Sequence, residues 1–179
     1  MVYHLEGFVY ESTAYEVIVN CLYNQLPDRP TTRHQCKTLL KSYVLALQYR
    51  ITDLQDALVD CIRQYHREFT IAFEDLVWLI NRLGHGEMIQ KIPMVKYMID
   101  QCAWEICSNG YKSFARQNPW FEPFLVLGDR PIRKVLFEAI TEVSDHADPA
   151  TGPNRYRVDD WVHFEQSAQN MTEFVELDD

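Results

Sequence analysis

Glycine and proline are scarce in this chain, at 6 and 8 of 179 residues. β-sandwiches and barrels need many tight turns, and their strands alternate apolar with polar residues. The longest stretches without glycine or proline instead repeat apolar residues at spacings of three and four, which is typical of amphipathic helices. We therefore predict an all-α fold, and 47% hydrophobic residues are enough for one ordinary core.

A surplus of positive charge is also missing. The chain has 17 lysines and arginines against 26 acidic residues, a formal net charge of −9. Because affinity for phosphate backbones depends on basic side chains, we expect no direct nucleic-acid partner. No apolar run approaches the ~20 residues that a membrane-spanning helix needs, and the first residues do not resemble a signal peptide. The sequence predicts a soluble intracellular protein, nuclear or cytoplasmic, with no membrane partner.

Metal-binding and catalytic motifs are not found either. The five cysteines form no CxxC pair and the histidines are dispersed, so we interpret the thiols as reduced core residues and expect no metal and no cofactor. The chain carries no nucleophile elbow, zinc-protease motif or phosphate-binding loop. His85 and Glu87 in the segment GHGE fit a polar turn better than an acid/base pair. We expect a protein that is not an enzyme.

Apolar periodicity predicts a bundle of about six helices. They are expected at roughly residues 13–26, 32–49, 52–65, 73–83, 93–109 and 129–143.

Shorter signals refine these bounds. The pairs Thr13 with Glu16 and Thr52 with Gln55 predict capping boxes, and Pro27 is expected to end the first helix. Asp129 is a predicted cap of the last helix. Residues 2–8 suggest a short N-terminal strand, and residues 118–129 a turn or helix pressed on the core. In the tight helix pair of residues 38–67, the buried side chains are expected to include Leu47, Leu54 and Leu58.

The helix pair carries a specific order of residues, LLKSYVLALQYRITDLQDA at 39–57. Preceded by Leu22-Tyr23, it resembles the C-terminal half of a BTB/POZ domain of the divergent fungal kind, whose pattern is L-L-x-x-Y-V-L-A-x-x-x-x-I-x-x-L-x-x-x-A. The matching positions are Leu39, Leu40, Tyr43, Val44, Leu45, Ala46, Ile51, Leu54 and Ala57. The resemblance covers roughly residues 8–67.

The resemblance implies an organisation for the whole chain. Residues 1–68 would be the C-terminal half of a BTB/POZ domain, 69–145 a helical extension, and 146–179 a polar loop and acidic tail. The family's first strand, dimerising helix and mixed sheet would precede residue 1. Cys21, Asn24 and Gln25 stand where the family often has Trp, Thr and Gly, so a different turn is expected there.

The resemblance also implies a function, that of a protein-interaction scaffold or adaptor. In related proteins the helices after the domain help to hold a cullin subunit of a ubiquitin ligase, while others assemble transcription or chromatin complexes. Tyr15, Val19 and Tyr23 would have lost the cover of the family's sheet. We expect this stripe to be buried by the chain's own tail through Trp161 and Phe164, by a second copy of the chain, or by another protein.

Two further groups are candidate interaction residues. Arg33, Lys37 and Lys41 repeat every fourth position and suit an acidic partner helix, although a solvated face is the simpler interpretation. The second group combines aromatic residues with an arginine. Tyr65 and Arg67 have the composition of binding hot spots, which packing against the next helix explains as well. Trp120 and Phe121 suit the lining of a groove for a peptide, although such aromatic residues more often belong to the core.

The alternative is a helical-bundle enzyme or small-ligand binder. Its site would be built from dispersed residues such as His85, Glu87, Tyr111 and Arg116. A closed pocket with convergent titratable groups would favour this alternative, whereas a flat or grooved aromatic surface would favour the scaffold.

Overall fold

A computed structural model describes residues 3–84, 89–128, 130–143 and 147–158, with side chains from residue 12 onward. Every regular element in these ranges is helical, which confirms the predicted all-α fold. The ranges contain eight α-helices and one 3₁₀ turn, compared with the six helices expected. They are α1 (Tyr3–Leu22), α2 (Arg33–Gln48), α3 (Thr52–His66), α4 (Phe73–Leu83), the 3₁₀ turn (Ile89–Lys91), α5 (Pro93–Asn109), α6 (Tyr111–Gln117), α7 (Phe121–Leu127) and α8 (Arg130–Glu142).

The additional helices, α6 and α7, are each seven residues long. Two turns are too short for a helical period to stand out in the sequence, and Pro119 and Pro123 interrupt the pattern. The segment predicted as a turn or helix pressed on the core contains α7, whose Phe121 and Phe124 are buried.

The N-terminal strand predicted at residues 2–8 is wrong for its described part, because residues 3–22 form one helix. Seven alternating residues are too few to outweigh continuity with the helical stretch that follows. Thr13 therefore lies within α1 and does not cap it. Nor does Pro27 end this helix, since α1 ends at Leu22.

The end of α1 is a Schellman turn built on asparagine. Asn24 has a φ of 60°, a left-handed conformation that asparagine tolerates better than most residues. The backbone N–H of Gln25 donates to the carbonyl of Asn20 at 3.0 Å, and that of Asn24 to the carbonyl of Cys21 at 2.9 Å. The carbonyls at the helix end thus obtain donors without glycine.

Helix α2 begins where the sequence predicted. Thr32 is its N-cap, with a reciprocal capping box: the Gln35 N–H donates to the Thr32 hydroxyl at 3.3 Å, and the Thr32 N–H donates to Gln35 Oε1 at 3.2 Å. This arrangement satisfies two backbone donors that the helix itself cannot pair.

The turn between α2 and α3 contradicts the second predicted capping box. Ile51 occupies the N-cap position of α3 without a side-chain cap. The buried Gln55 amide instead donates to the carbonyl of Ala46 at 3.1 Å, and the Ile51 N–H also reaches that carbonyl at 2.9 Å. Arg50 supplies the left-handed residue, with a φ of 56°. Gln55 is used to close the preceding helix, so it is not available to cap the next one.

The described residues form two compact units. The first contains the chain up to Thr70 together with Ala150–Asn154, and α2 packs there against both α1 and α3. Leu47, Leu54 and Leu58 are buried in this unit, which confirms the prediction for the helix pair. Around α3, Arg67 Nε donates to the carbonyl of Ala150 at 3.0 Å, so the returning segment is fixed to this helix.

The second unit contains Ile71–Pro149 and the described residues from Arg155 onward. Its central element is α5, which packs against α4, the 3₁₀ turn, α6 and α8. Pro93 stands in the first turn of α5, and Gly110 ends it with a φ of 81°, both as predicted. Edge-to-face rings form one side of the core: Phe73 lies 5.1 Å from both Phe121 and Phe124 between ring centroids.

Candidate protein-interaction surface

The last turns of α1 and the segment that follows it expose several large apolar side chains. Val19 is 48% exposed, Leu22 71% and Tyr23 76%, and Tyr15 and Leu26 are exposed as well. On an α-helix, residues three and four apart lie on the same face, so Tyr15, Val19 and Leu22 share one side of α1, and Tyr23 follows directly after its end. Exposed large apolar residues are ordinary when single, but a contiguous group of them is typical of an interaction site.

An adjacent, buried stripe of α1 explains why this face is exposed to solvent. Ala14 and Ile18 are buried, and the carbonyl of Ala14 accepts a hydrogen bond from the Ser42 hydroxyl of α2 at 3.3 Å. Each residue turns the helix by about 100°, so the side chains one position later point away from α2. The small Ala14 side chain fits the helix contact, while the larger Tyr15 lies beside it.

Tyr49 extends the exposed face across the end of α2. Its ring centroid lies 6.5 Å from that of Tyr15, at an interplanar angle of 58°, and Tyr49 is itself exposed. Tyrosine combines a large apolar ring with a polar hydroxyl and loses little conformational entropy on binding, which suits protein interfaces. We name the group of Tyr15, Val19, Leu22, Tyr23 and Tyr49 the α1 face.

The basic stripe of α2 lies in the same unit. Arg33 and Lys37 are exposed, and Lys41 is half-buried. Arg33 is the first residue of α2, where the partial positive charge of the helix end disfavours a cation. The helix end therefore does not favour arginine here, although Arg33 takes part in another interaction within the protein.

Of the aromatic candidates, Tyr65 and Phe121 are buried. Tyr65 stacks on Phe69 with 4.6 Å between ring centroids. Phe121 contacts Phe114 at 5.0 Å and also approaches Tyr111 at 5.7 Å. Core packing accounts for both rings, whereas Trp120 is exposed.

Sequence reasoning missed a group of exposed apolar residues in the second unit. Val126 is 73% and Leu127 86% exposed at the end of α7, and Phe137 is exposed on α8. The exposure of Phe137 was predictable from the sequence, because this residue falls outside the apolar stripe that includes Ile132 and Leu136. Val126 and Leu127 lie on a helix too short for such a stripe.

The residues of the alternative site do not form a cluster in what the structure describes. His85 and Glu87 lie outside the described residues, as do Asp129, Trp161 and Phe164. Tyr111 and Arg116 are exposed on α6, and the Tyr111 hydroxyl donates to Glu122 Oε1 at 3.2 Å. This pair stabilises the approach of α6 to α7.

The cysteines match the prediction of core thiols in part. Cys36, Cys61 and Cys102 are buried, Cys21 is half-buried and Cys107 is exposed, and none forms a disulfide. Burial, with the nearby charges of Asp60 and Asp28, raises the pKa of Cys61 to about 11. The Cys61 thiol is thus neutral at physiological pH and donates to the carbonyl of Pro27 at 3.2 Å.

Across the described ranges, no group of three or more histidine, cysteine, aspartate or glutamate side chains is placed to hold a metal ion. Among the same residues, no helix combines the length and apolar character needed to cross a membrane.

Comparison with known proteins identifies no relative. The chain matches no protein-family model, and no curated protein and no solved structure matches it.

Proposed function

We propose that the chain is a protein-interaction scaffold that binds a protein partner through the α1 face. The observation that carries the proposal is the exposure of Val19 and Leu22 on one side of α1, and of Tyr23 directly after it, while Ala14 and Ile18 of the same helix are buried. Covering such a surface stabilises a complex by about 25 cal/mol for each Å² of apolar area removed from water. The resemblance of residues 39–57 to a BTB/POZ helix pair supports the same class of function.

That resemblance suggests two partner classes, a cullin subunit of a ubiquitin ligase and a subunit of a transcription or chromatin complex. Self-association through the α1 face is the third outcome to be distinguished. The net charge of −9 opposes close approach of two copies, while Arg33 and Lys37 favour a partner that carries acidic side chains. We therefore favour a different protein as the partner.

A charge introduced into the α1 face tests the proposal. Tyr23→Glu changes a side chain that is mostly in solvent, so the fold is expected to tolerate it within about 0.5 kcal/mol. Leu127→Glu is the matched control, since it places the same charge on an exposed apolar residue of the second unit. Wild type and both variants are used as bait in a cell extract, and the retained proteins are identified by mass spectrometry.

We expect a stoichiometric partner to be retained by the wild type and by Leu127→Glu and lost from Tyr23→Glu. Sedimentation at micromolar concentration distinguishes self-association from binding of another protein. If the wild type forms a dimer through the α1 face, Tyr23→Glu should sediment as a monomer. If Tyr23→Glu keeps its stability, its partners and its sedimentation coefficient, the α1 face is not an interface.

A further inference from the structure

A buried carboxyl group in the second unit accepts a hydrogen bond from the backbone of the segment that precedes α4. Glu105 on α5 is 3% exposed, and its Oε1 accepts a hydrogen bond from the backbone N–H of Ile71 at 2.9 Å. Gln101, one turn earlier and also buried, donates from Nε2 to the same oxygen at 3.3 Å. Ile71 is the first residue of the second unit and lies two residues before α4.

Two acceptor atoms of this arrangement have no donor in the part of the chain that the structure describes. They are Oε2 of Glu105 and Oε1 of Gln101, both buried. Leaving a buried polar atom without a hydrogen bond is costly, and more so when the group is charged. An ionised carboxylate and an amide oxygen only accept, so they cannot pair with each other.

Protonation of Glu105 would give both unpaired oxygen atoms a hydrogen bond. A neutral carboxylic acid gains one O–H donor, and the Nε2–Oε1 bond already aligns the carboxyl with the Gln101 amide. Donation from Oε2 to the amide oxygen then completes a two-armed acid–amide pair. The side chains can meet in this way because residues four apart lie on the same face of a helix.

The electrostatic surroundings favour the same protonation state. Burial raises the pKa of Glu105 to about 7, against the opposing hydrogen bonds from Ile71 and Gln101, and the charge of Asp148 contributes in the same direction as burial. On α5 itself the neighbouring Cys102 thiol is kept neutral, because burial raises its pKa. Asp75 is the buried acid of α4, and the charged side chains of α6, α8 and the 3₁₀ turn are exposed or half-buried, where water screens them.

We propose that Glu105 is a neutral acid in the folded protein, paired with Gln101. Its ionisation as pH rises promotes release of the segment that leads into α4. The bond from Ile71 breaks when this segment opens, and the carboxylate then becomes hydrated, which removes the cost of burying its charge. A second bond, from the Phe73 N–H to Asn118 Oδ1 at 2.7 Å, holds the same segment and involves no titrating group. The ionised carboxylate accepts more strongly from the Ile71 N–H, but the cost of burying its charge is larger, so a rise in pH favours opening of the segment.

The direction of the effect follows from proton linkage. The folded protein binds the Glu105 proton more tightly than an opened state, in which the pKa returns to its ordinary value of 4.5. The stabilisation is complete below pH 4.5, is lost as pH rises towards 7, and changes no further above that. Between pH 5 and pH 8 the opening equilibrium is expected to rise on the order of a hundredfold from this group alone.

Glu105→Gln tests the proposal, because glutamine keeps the acceptor for Ile71 and offers a permanent donor to Gln101. Glu138→Gln is the control, since it neutralises an exposed acid of α8. Hydrogen exchange of the Ile71 amide is measured as a protection factor at several pH values. The wild type and Glu138→Gln should lose protection from pH 5 to pH 8, while Glu105→Gln should keep it.

Protection at Ile71 that falls equally in wild type and Glu105→Gln would overturn the proposal. A direct titration covers the case in which Glu105→Gln does not fold. The carboxyl ¹³C shift of Glu105 in the wild-type protein should titrate near pH 7, and a midpoint near the ordinary value of 4.5 would show that the buried group is ionised.

Discussion

The phenolic oxygen of Tyr156 lies 2.9 Å from Oδ2 of Asp100, and both side chains are buried. Arg155 completes the group, since its guanidinium donates to the same carboxylate oxygen at 3.1 Å and its Nε donates to the tyrosine oxygen at 3.2 Å. Burial and the charge of Asp100 raise the pKa of Tyr156, so its hydroxyl remains a donor. This network attaches the residues after Asn154 to α5 in the second unit.

Removing that hydroxyl gives the first prediction. Tyr156→Phe keeps the ring that packs edge-to-face on Tyr97 at 5.2 Å, but leaves Asp100 with one donor fewer. A hydrogen bond to a charged group is worth about 1.5 to 3 kcal/mol, so the free energy of unfolding should fall by about that amount. Denaturant titration measures it, and the exposed Tyr49→Phe is the control. Equal small changes in both variants would contradict the assignment.

The second prediction concerns the helix pair of the first unit. Leu54 of α3 is fully buried, so Leu54→Ala removes apolar contacts and leaves a cavity. The loss of unfolding free energy should be about 2 to 5 kcal/mol. Leu127→Ala, at an exposed position, should change stability by less than about 0.5 kcal/mol. A loss for Leu54→Ala as small as that of the control would show that this side chain is not in a packed core.

The helices were predictable from the sequence where apolar spacing covers three or more turns, as in α2, α3, α5 and α8. Their ends were less predictable. Thr52 and Gln55 have the spacing of a capping box, but Gln55 is drawn to the carbonyl of Ala46, which becomes apparent only when α2 and α3 are packed. A short motif states which bond is possible, and tertiary contacts decide which bond forms.

The candidate surface shows the same limit. The apolar spacing of the sequence revealed the stripe of Tyr15, Val19 and Tyr23. Spacing alone does not determine which of two adjacent stripes packs against the next helix. Ala14 and Ile18 take the contact with α2 because the small side chain allows close approach. Glu105 gave no sequence signal at all, since its partners Ile71 and Gln101 are set by the fold.

A third prediction uses the difference in burial among the cysteines. Cys107 is exposed, whereas Cys102 is fully buried and the pKa of Cys61 is raised to about 11. Because the thiolate is the reactive form, a thiol reagent should label Cys107 first in the folded protein. Mass spectrometry after a brief reaction locates the label. Cys107→Ser should remove the fast phase, and early labelling of Cys61 or Cys102 would contradict the burial of these thiols.

The fourth prediction is a loss of stability in acid caused by His66. This side chain is buried at the end of α3, its ring lies 5.4 Å from that of Tyr65, and burial lowers its pKa from 6.5 to about 3. The folded protein therefore holds the neutral imidazole, while the unfolded chain takes up a proton below pH 6.5. Stability from this group is complete above pH 6.5 and is lost towards pH 3, by about 1.4 kcal/mol for each pH unit.

His66→Gln separates this contribution from that of the carboxylates, because glutamine is polar, of similar length and does not titrate. The unfolding free energies of wild type and variant are measured by denaturant titration from pH 7 to pH 4. The wild type should lose about 3 kcal/mol more than the variant over this range. His34→Gln, at an exposed position of α2, is the control and should follow the wild type. Parallel curves for wild type and His66→Gln would show that His66 takes up its proton equally in the folded and unfolded states. That result would contradict the prediction.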